Sequence, residues 1–268
     1  MRFIKKLFSY IDKRLLGGNI KLFKAFWLER RLAVYKSDEF LHGFVTQYKK
    51  HDASELNTLC DQYGSDKGET TSMDNPYPWS SHNYADVYEI LFRLCKDNVK
   101  SVIECGLGTN NPELKSSMGL NGKPGASLRV WRDYFPNAKV IGVDIDKDIL
   151  FSENRIDTYY CDQTNLRSID DFVKTAKIQE ASIDIIIDDG LHEFEAGKIF
   201  FEGMNKYLSH NGAYIIEDVR VNDILYYKDY FLTLSSKFSV QFFSLTRPKI
   251  VEVSDNRLIV VRKNLKVT

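Results

Sequence analysis

The sequence predicts an α/β fold with a doubly wound, mostly parallel sheet and helices on both of its faces. From residue 99 onward, short apolar segments alternate with segments that carry apolar residues at helical spacing. This alternation is typical of parallel sheets, whose strands are joined by helical crossovers. Several of the apolar segments also end in Gly, Asp or Glu. Ligands of such sheets bind at the carboxyl ends of the strands, so these residues indicate a binding site.

The predicted elements follow each other in order along the chain. We expect strands at 99–105, 139–143, 156–161, 183–187, 212–216, 238–245 and 257–262, and helices at 125–135, 165–177, 193–208 and from 219 to about 236. The chain then divides into a basic helical arm at 1–50, a helical or loop segment that covers the active site at 51–98, and the main α/β domain at 99–268.

Composition excludes several classes of protein. The 268 residues contain 37 basic and 37 acidic side chains, which argues against a protein that coats nucleic acid. No apolar run reaches the roughly 18–20 residues of a membrane-spanning helix. The 4 cysteines form no CxxC pair, and the basic N-terminus lacks the pattern of a secretory signal. We therefore expect a cytoplasmic protein with reduced thiols.

The N-terminal arm is strongly basic. Residues 1–36 carry ten Lys or Arg and two acidic residues, so their net charge is +8. Phe3, Leu7, Ile11 and Leu15 recur every four residues, which predicts an amphipathic helix. Such a helix can lie on an anionic membrane surface, pack against a partner subunit or dock on its own domain.

The first predicted strand ends in a glycine turn. Glu104, Gly106 and Gly108 form an E-x-G-x-G pattern, in which two glycines allow a tight turn close to a ligand. A dinucleotide-binding fingerprint would require a third glycine at the position of Asn111, so binding of NAD is disfavoured.

Two further strand ends favour a nucleoside ligand. Asp144 ends the second strand, where its carboxylate can accept hydrogen bonds from a ribose diol. Asp162 and Gln163 follow the third strand and suit the edge of an adenine. The alternative is that each acid only caps a neighbouring helix.

The fourth and fifth strands end in a group of carboxylates. Asp188 and Asp189 follow one strand, and Glu217 and Asp218 follow the other. Four carboxylates at one edge would repel each other without a counter-charge, and oxygen ligands favour Mg²⁺, or Mn²⁺ or Ca²⁺ in its place. Asp189, Glu217 and Asp218 are the predicted ligands. The alternative is a set of hydrogen-bonded loop caps without a metal.

His192 is the predicted general base. It should open the next helix near the proposed cation, and both positive fields would lower the pKa of its imidazole and keep it neutral. A neutral imidazole beside a hydroxyl is a competent base. We predict His192 and Asp188 as the catalytic residues.

The ordered set of motifs resembles the metal-dependent sugar O-methyltransferases. The best-known members act on deoxysugars of macrolide antibiotics such as mycinamicin and tylosin, and relatives are encoded with bacterial surface-polysaccharide genes. The resemblance covers about residues 60–220. The matching segments are 63–67, 82, 84, 103–106, 125–131, 134–136, 142–145, 155–156, 162–163, 187–192 and 216–218.

The resemblance implies a Rossmann-like class I methyltransferase domain, S-adenosylmethionine (SAM) as methyl donor and a Mg²⁺ ion that chelates substrate hydroxyls. It also implies that His192 is the base and that Asp189, Glu217 and Asp218 hold the metal. The positions that match the cofactor-binding residues are Glu104, Gly106, Gly108, Asp144, Asp162 and Gln163. Three more fall in motifs near the cofactor, where a contact to its methionine carboxylate is expected: Lys67, Ser127 and Arg129.

The function expected from this resemblance is O-methylation of a sugar hydroxyl, either on a nucleotide-activated sugar or on a precursor of a surface or capsular glycan. A macrolide or catechol-like acceptor is the alternative enzyme reading, and a non-catalytic SAM-binding scaffold is the alternative from another class. We expect a homo-oligomer that binds no nucleic acid. Asn75-Pro76-Tyr77-Pro78 resembles the box of amino methyltransferases but precedes the first strand, so a turn or a substrate-covering lid explains it better.

Overall fold

An eight-stranded mixed sheet organises the computed structural model, which describes residues 54–70, 76–245 and 255–264. The strands are β1 (Ser101–Cys105), β2 (Lys139–Asp144), β3 (Ser152–Glu153), β4 (Ile156–Tyr160), β5 (Ile183–Asp188), β6 (Leu208–Ile216), β7 (Phe238–Ser244) and β8 (Arg257–Lys263). Their order in the sheet is β3-β4-β2-β1-β5-β6-β8-β7. The central strands β4, β2, β1, β5 and β6 are parallel, whereas β3, β8 and β7 pair antiparallel. The predicted arm at 1–50 lies outside the described residues.

Helices cover both faces of this sheet. Their bounds are α1 (Glu55–Tyr63), α2 (Tyr84–Phe92), α3 (Ala126–Tyr134), α4 (Leu166–Thr175), α5 (Phe194–Met204) and α6 (Ile224–Thr233). The first three pack in one hydrophobic cluster and the last three in another. The predicted doubly wound, mostly parallel α/β fold is confirmed.

Alternation along the strands separates the two clusters. Val102 of β1 belongs to the cluster of α1–α3, and its neighbour Ile103 belongs to the cluster of α4–α6. The same alternation relates Ile185 to Ile186 in β5. Successive side chains of a strand point to opposite faces, so a continuous apolar strand buries both faces under helices.

Some element boundaries differ from the sequence prediction. The short strand β3 was not predicted, and β6 begins at Leu208 rather than at 212. Polar residues at 209–211 favoured a turn, but the pairing of β5 with β6 shifts register between Ile183 and Ile185, so the extra residues are accommodated as a bulge. α5 ends at Met204 and α6 is shorter at both ends than predicted. Within the described residues, no helix is long and apolar enough to cross a membrane.

Candidate active site

The predicted acidic strand ends meet at one edge of the sheet. Backbone hydrogen bonds continue the ladder past the ends of the strands, from Asp189 N to Cys105 O at 2.9 Å and from Glu217 N to Asp188 O at 2.9 Å. The carboxyl ends of β1, β5 and β6 are therefore adjacent, as parallel pairing requires.

The glycine turn lies against this edge. Gly106 and Gly108 have φ of 93° and 77°, which L-residues with a side chain rarely adopt. A Cβ atom at Gly106 would overlap the carbonyl oxygen of Asp189. Glycine is therefore required at 106 so that the turn after β1 can approach the end of β5.

Lys67 is the buried counter-charge of the acidic edge. It precedes α2 in the chain and is only 2% exposed. Its Nζ lies 2.6 Å from Asp189 Oδ2 and 3.2 Å from Glu104 Oε1, and it also contacts Glu217. Three side-chain carboxylates of the protein surround this ammonium group, and the expected contact of Lys67 with the methionine carboxylate of the cofactor stays a prediction.

Burial and opposite charge act against each other on the pKa values of this group. Burial acts to lower the pKa of Lys67, but the nearby carboxylates outweigh it and hold the pKa well above its usual range. Burial also acts to raise the pKa of Asp189, but Lys67 and His192 lower it below its usual value. Burial raises the pKa of both Glu104 and Glu217, and Lys67 opposes this shift. Lys67 therefore favours the charged form of all three carboxylates.

Two tyrosines of α2 complete the hydrogen bonding of the acidic edge. Tyr84 and Tyr88 are four residues apart and lie on one face of the helix. Tyr84 donates to Asp218 Oδ1 at 2.5 Å, and Tyr88 donates to Glu217 Oε1. Both oxygens of Glu217 are thus engaged, one by Tyr88 and one by Lys67.

Asp189, His192 and Asp218 form the group that is best arranged for a cation. Their ligand atoms lie within 4.8 Å of one another. His192 Nε2 is 3.2 Å from Asp189 Oδ1 and 3.4 Å from Asp218 Oδ2. Glu217, the third predicted metal ligand, lies outside this group, and its carboxylate contacts Lys67 and Tyr88. Its role as a metal ligand stays a prediction.

The expected lowering of the His192 pKa is not found. His192 has φ of 57° and lies two residues before α5, whose N-cap is Glu193, so it does not open the helix. Burial acts to lower its pKa, but the carboxylate of Asp218 and the hydrogen bond with Asp189 raise the pKa to about 10. The predicted lowering of the pKa considered the positive fields of the helix and the cation, whereas these two carboxylates act in the opposite direction.

Asp188 lies behind this group and is 4% exposed. Its Oδ1 accepts a hydrogen bond from Gln163 Nε2 at 3.0 Å, and its Oδ2 is a buried atom without a hydrogen-bond partner in the described structure. Burial raises the pKa of Asp188 to about 6. The catalytic role of Asp188 stays a prediction.

Asp144 and Asp162, which are predicted to bind the nucleoside, have different hydrogen-bond partners. Asp144 accepts hydrogen bonds from Leu107 N at 2.7 Å and from Asp146 N at 2.8 Å, so it fixes the glycine turn. Asp162 is half-buried and accepts from the backbone and hydroxyl of Thr164. Each carboxylate oxygen has two lone pairs, so both acids retain capacity for a ligand.

Gln163 is held inside the protein. Its Nε2 donates to Asp188, and its Oε1 accepts from Leu191 N at 2.6 Å. The side chain therefore joins the end of β4 to the loop after β5. For the predicted contact with adenine, Gln163 retains its second amide hydrogen and the second lone pair of Oε1.

Ser127 and Arg129 lie near the start of α3, in different surroundings. Ser127 forms a hydrogen bond with Glu104 that helps to lower the pKa of this acid, although burial outweighs it. Arg129 instead pairs with Glu153 at 2.6 Å, and its guanidinium lies 4.7 Å from the ring centre of Phe151. Within the described residues, this guanidinium forms no ion pair with the carboxylates of the acidic edge, and the expected contact of Arg129 with the cofactor stays a prediction.

The predicted lid is described from Pro76 onward, and Asn75 lies outside the described residues. Tyr77 is buried, and its hydroxyl shares a hydrogen bond with Ser81 at 2.5 Å. Trp79 Nε1 donates to Asp66 Oδ2 at 2.8 Å, next to Lys67. The segment thus lies beside the candidate site, and its movement as a lid stays a prediction.

The described fold is that of a Rossmann-like methyltransferase. It is similar to a solved structure of the MycE methyltransferase from the mycinamycin biosynthetic pathway in complex with Mg and SAH, with a TM-score of 0.56, 21% sequence identity, and coverage of 78% of this chain and 55% of that chain. A MycE complex that also contains Mycinamycin VI gives a TM-score of 0.57 at 20% identity, over 78% of this chain and 54% of that chain. At this level of identity the similarity establishes the fold.

Sequence comparison gives more specific relatives, although no protein-family model matches the chain. One is the 8-demethyl-8-alpha-L-rhamnosyl tetracenomycin-C 2'-O-methyltransferase of Streptomyces olivaceus, 30% identical over 171 residues, which are 64% of this chain and 39% of the relative. Another is the L-olivosyl-oleandolide 3-O-methyltransferase of Streptomyces antibioticus, 30% identical over 165 residues, 61% of this chain and 36% of the relative. The chain spans less than half the length of these curated relatives. The resemblance to sugar O-methyltransferases indicated by the motifs is confirmed.

Proposed function

We propose that this protein is a SAM-dependent O-methyltransferase that acts on a sugar hydroxyl. The observation that carries the proposal is the group of Asp189, His192 and Asp218 beside the glycine turn. The methyltransferase fold and the sequence similarity to enzymes that methylate rhamnosyl and olivosyl groups support it.

The residues present fit a divalent metal and SAM. The carboxylates of Asp189 and Asp218 suit Mg²⁺ or Mn²⁺, with Glu217 as the predicted third ligand, and the positive-φ glycines with Asp144 suit a nucleoside. When bound, SAM supplies an electrophilic methyl group, and the cation supplies positive charge that lowers the pKa of a nearby hydroxyl.

The chain's own residues then have distinct tasks. His192 takes the hydroxyl proton at Nε2, the atom that faces Asp189 and Asp218. With these carboxylates uncompensated, the pKa of His192 is about 10 and the ring is already protonated near neutral pH. Its action as a base therefore requires positive charge at the carboxylates. Lys67 compensates the other oxygen of Asp189 and keeps the carboxylate fixed.

The experiment that tests the function is a turnover screen that measures conversion of SAM to S-adenosylhomocysteine. The acceptors are nucleotide sugars and simple rhamnosides, and each is tried with Mg²⁺ and after treatment with EDTA. We expect turnover that EDTA abolishes and Mg²⁺ restores, because the predicted ligands are carboxylates and two of them, Asp189 and Asp218, lie close together at this edge. Full activity in thoroughly chelated protein would contradict the metal-assisted mechanism.

The finer substrate class is a sugar that is nucleotide-activated or part of a surface or capsular glycan precursor. A macrolide-linked sugar is the second candidate, because the relatives' names include glycosylated tetracenomycin and oleandolide. Catechol serves as a further acceptor in the screen. A scaffold that binds SAM without catalysis would give no S-adenosylhomocysteine with any acceptor.

Asp144→Ala tests the cofactor site. We expect SAM to bind about 1–3 kcal/mol more weakly, because hydrogen bonds to a carboxylate are lost. Calorimetry measures the affinity, and circular dichroism checks the fold, since Asp144 also binds two backbone amides. Asp157→Ala is the control, because Asp157 pairs with Lys139 at the opposite end of β4. Equal SAM affinity in both folded variants would remove Asp144 from the site.

The basic arm is proposed as a peripheral attachment to the anionic inner surface of a bacterial membrane, with the protein itself cytoplasmic. Each of its basic residues near such a surface contributes about 1 kcal/mol, an attraction that salt weakens. Deleting the first 20 residues should abolish sedimentation with anionic liposomes but preserve SAM turnover on a soluble acceptor, since the candidate site lies beyond residue 60. If the full chain ignores liposomes at low salt and the deletion dissociates a homo-oligomer, the arm is a subunit contact instead.

A further inference from the structure

A narrow cavity lies beside the candidate active site, between the end of β5 and the helices α5 and α6. His192 and Asp218 line the side that faces the candidate cation group. Gly197 of α5 and Tyr227 of α6 line the other side. The volume of the cavity is about 10 Å³, which is room for one water-sized group and not for a sugar ring. The proposed reaction assigns no group to this cavity.

Asp188 supplies a buried polar atom to the cavity. It is 4% exposed, and its Oδ1 accepts a hydrogen bond from Gln163 at 3.0 Å. Its Oδ2 is buried and has no hydrogen-bond partner among the described residues. A Cβ atom added to Gly197 would lie 3.2 Å from this oxygen, so Oδ2 is next to the Gly197 side of the cavity. Buried polar atoms are usually hydrogen-bonded, so Oδ2 indicates a ligand group there.

Tyr227 brings a second polar group to the same place. A Cβ atom at Gly197 would overlap the hydroxyl oxygen of Tyr227, so only the missing side chain at 197 makes room for this hydroxyl. Tyr227 is 4% exposed, and burial together with the carboxylate of Asp188 raises its pKa well above the usual value. The hydroxyl therefore keeps its hydrogen and can donate it to a ligand.

The position of the Tyr227 hydroxyl is set by the packing of its ring. The ring meets Phe194 edge to face, with centroids 4.9 Å apart and planes inclined by 82°. It also stacks on Phe231, with planes inclined by 14°. The hydroxyl is thus held in place by two helices before a ligand binds, which lowers the entropic cost of binding.

A hydroxyl group on a short arm has the size and chemistry that this cavity requires. Because a hydroxyl both donates and accepts, it can pair with the carboxyl of Asp188 in either charge state and with the hydroxyl of Tyr227. The cavity is too narrow for a sugar ring, so the hydroxyl must extend from the ring. In a hexose, the group that extends in this way is the hydroxymethyl group, whose oxygen a 6-deoxyhexose lacks.

We propose that this cavity is an acceptor subsite, in which Asp188 Oδ2 and the hydroxyl of Tyr227 bind the hydroxymethyl oxygen of the sugar. Tyr227 is then a specificity-determining residue, and the site favours hexoses over 6-deoxyhexoses. This inference rests on the proposed function and deepens it, since His192 and Asp218 join the cavity to the place of the reacting hydroxyl.

The test measures SAM turnover on sugars that differ only in the hydroxyl at C6. The pairs are mannose with rhamnose and glucose with quinovose, each as methyl glycosides and as nucleotide sugars. Tyr227→Phe removes the hydroxyl and keeps the ring. Tyr230→Phe is the matched control, because Tyr230 lies on the same helix but donates to Glu202 at 3.2 Å, away from the lining of the cavity.

The wild type should have a kcat/KM about tenfold higher on the hexose of each pair that it converts, the value of one hydrogen bond in a buried site. Tyr227→Phe should lower kcat/KM on the hexose by about threefold to tenfold, through KM, and leave the 6-deoxyhexose unchanged. Tyr230→Phe should behave as wild type on both. Mg²⁺ affinity, measured by calorimetry, should be the same in all three proteins, since Tyr227 is outside the group of Asp189, His192 and Asp218.

A wild type that converts both members of a pair equally well, or the 6-deoxyhexose better, would overturn the subsite and leave the cavity to water. Equal losses of Tyr227→Phe on both members would overturn it too, because the hydroxyl would then act only by positioning Asp188. Both results leave the methyltransferase function intact. Absence of wild-type turnover on every sugar of the screen would instead contradict the sugar substrate class, and the subsite with it.

Discussion

Replacing His192 by glutamine is expected to lower kcat by a factor of about 10² to 10⁴, the usual contribution of a general base. Glutamine occupies a similar volume and can still form hydrogen bonds, but it cannot accept a proton near neutral pH. His192 Nε2 is the atom that faces both Asp189 and Asp218, so its loss removes the only imidazole of that group. KM for SAM should change little, because the predicted nucleoside contacts lie on β1, β2 and β4.

The measurement is steady-state turnover over a range of Mg²⁺ concentrations up to saturation, with the best acceptor from the screen. His210→Gln is the control and should behave as wild type, because His210 is exposed near the start of β6, at the end of this strand opposite the acidic edge of the sheet. Calorimetry with Mg²⁺ separates two roles of His192. If the kcat loss disappears at high Mg²⁺, the imidazole acts by holding the cation and not by taking the proton.

The fold could be predicted because it depends on patterns that are local in the chain. The strands β1, β2 and β5 are short runs that are almost entirely buried, and β1, β4, β5 and β6 are each followed by a helix, which permits a parallel sheet. The acids at 144, 189 and 218 were found because strand ends in such a sheet necessarily share one edge. The predicted boundaries are wrong where pairing with another strand determines the end of an element. An example is β6, which begins at Leu208 because its pairing with β5 contains a bulge.

The charge balance of the site could not be predicted in the same way. Lys67 lies 122 residues from Asp189 and 150 residues from Glu217 in the chain, so its burial among them depends on how the segment before α2 packs. From the sequence, the whole counter-charge of these carboxylates was expected to come from a metal. Lys67 supplies part of it, because its ammonium group contacts both Asp189 and Glu217.

Tyr84 and Tyr88 illustrate the same limit. The spacing of four residues can be read from the sequence, but two aromatic residues on one face of a helix usually indicate packing in the core. Only the tertiary arrangement directs both hydroxyls to carboxylates at the ends of the strands. The ion pair of Arg129 with Glu153 likewise follows from the tertiary arrangement and not from the cofactor motif in which Arg129 lies.

Replacing Lys67 by methionine is expected to destabilise the protein by about 3–5 kcal/mol, the usual cost of removing one partner from a buried ion pair. Methionine keeps most of the side-chain volume, so the loss reports the missing charge more than a cavity. Asp189 would lose its counter-charge, while Glu104 and Glu217 are already disfavoured as anions by burial. Urea unfolding followed by circular dichroism measures the difference.

The control is Lys115→Met, because Lys115 forms an exposed ion pair with Glu193 at 2.9 Å and should contribute only about 0–1 kcal/mol. Lys67→Arg retains the positive charge and should recover part of the stability. If Lys67→Met does not fold, Lys67→Arg still tests the role of the charge. A Lys67→Arg protein that also fails to fold would show that the size of the side chain matters rather than its charge.

The deficit of Lys67→Met should also depend on pH, and its sign follows from linkage. Without Lys67, the pKa values of the buried carboxylates in the folded state lie above their unfolded values, so the folded state binds more protons. Stability then rises as the pH falls toward the unfolded pKa of about 4. We therefore expect the gap between wild type and Lys67→Met to narrow from neutral to mildly acidic pH. A gap that stays constant over this range would mean that Lys67 stabilises the fold by packing and not by its charge.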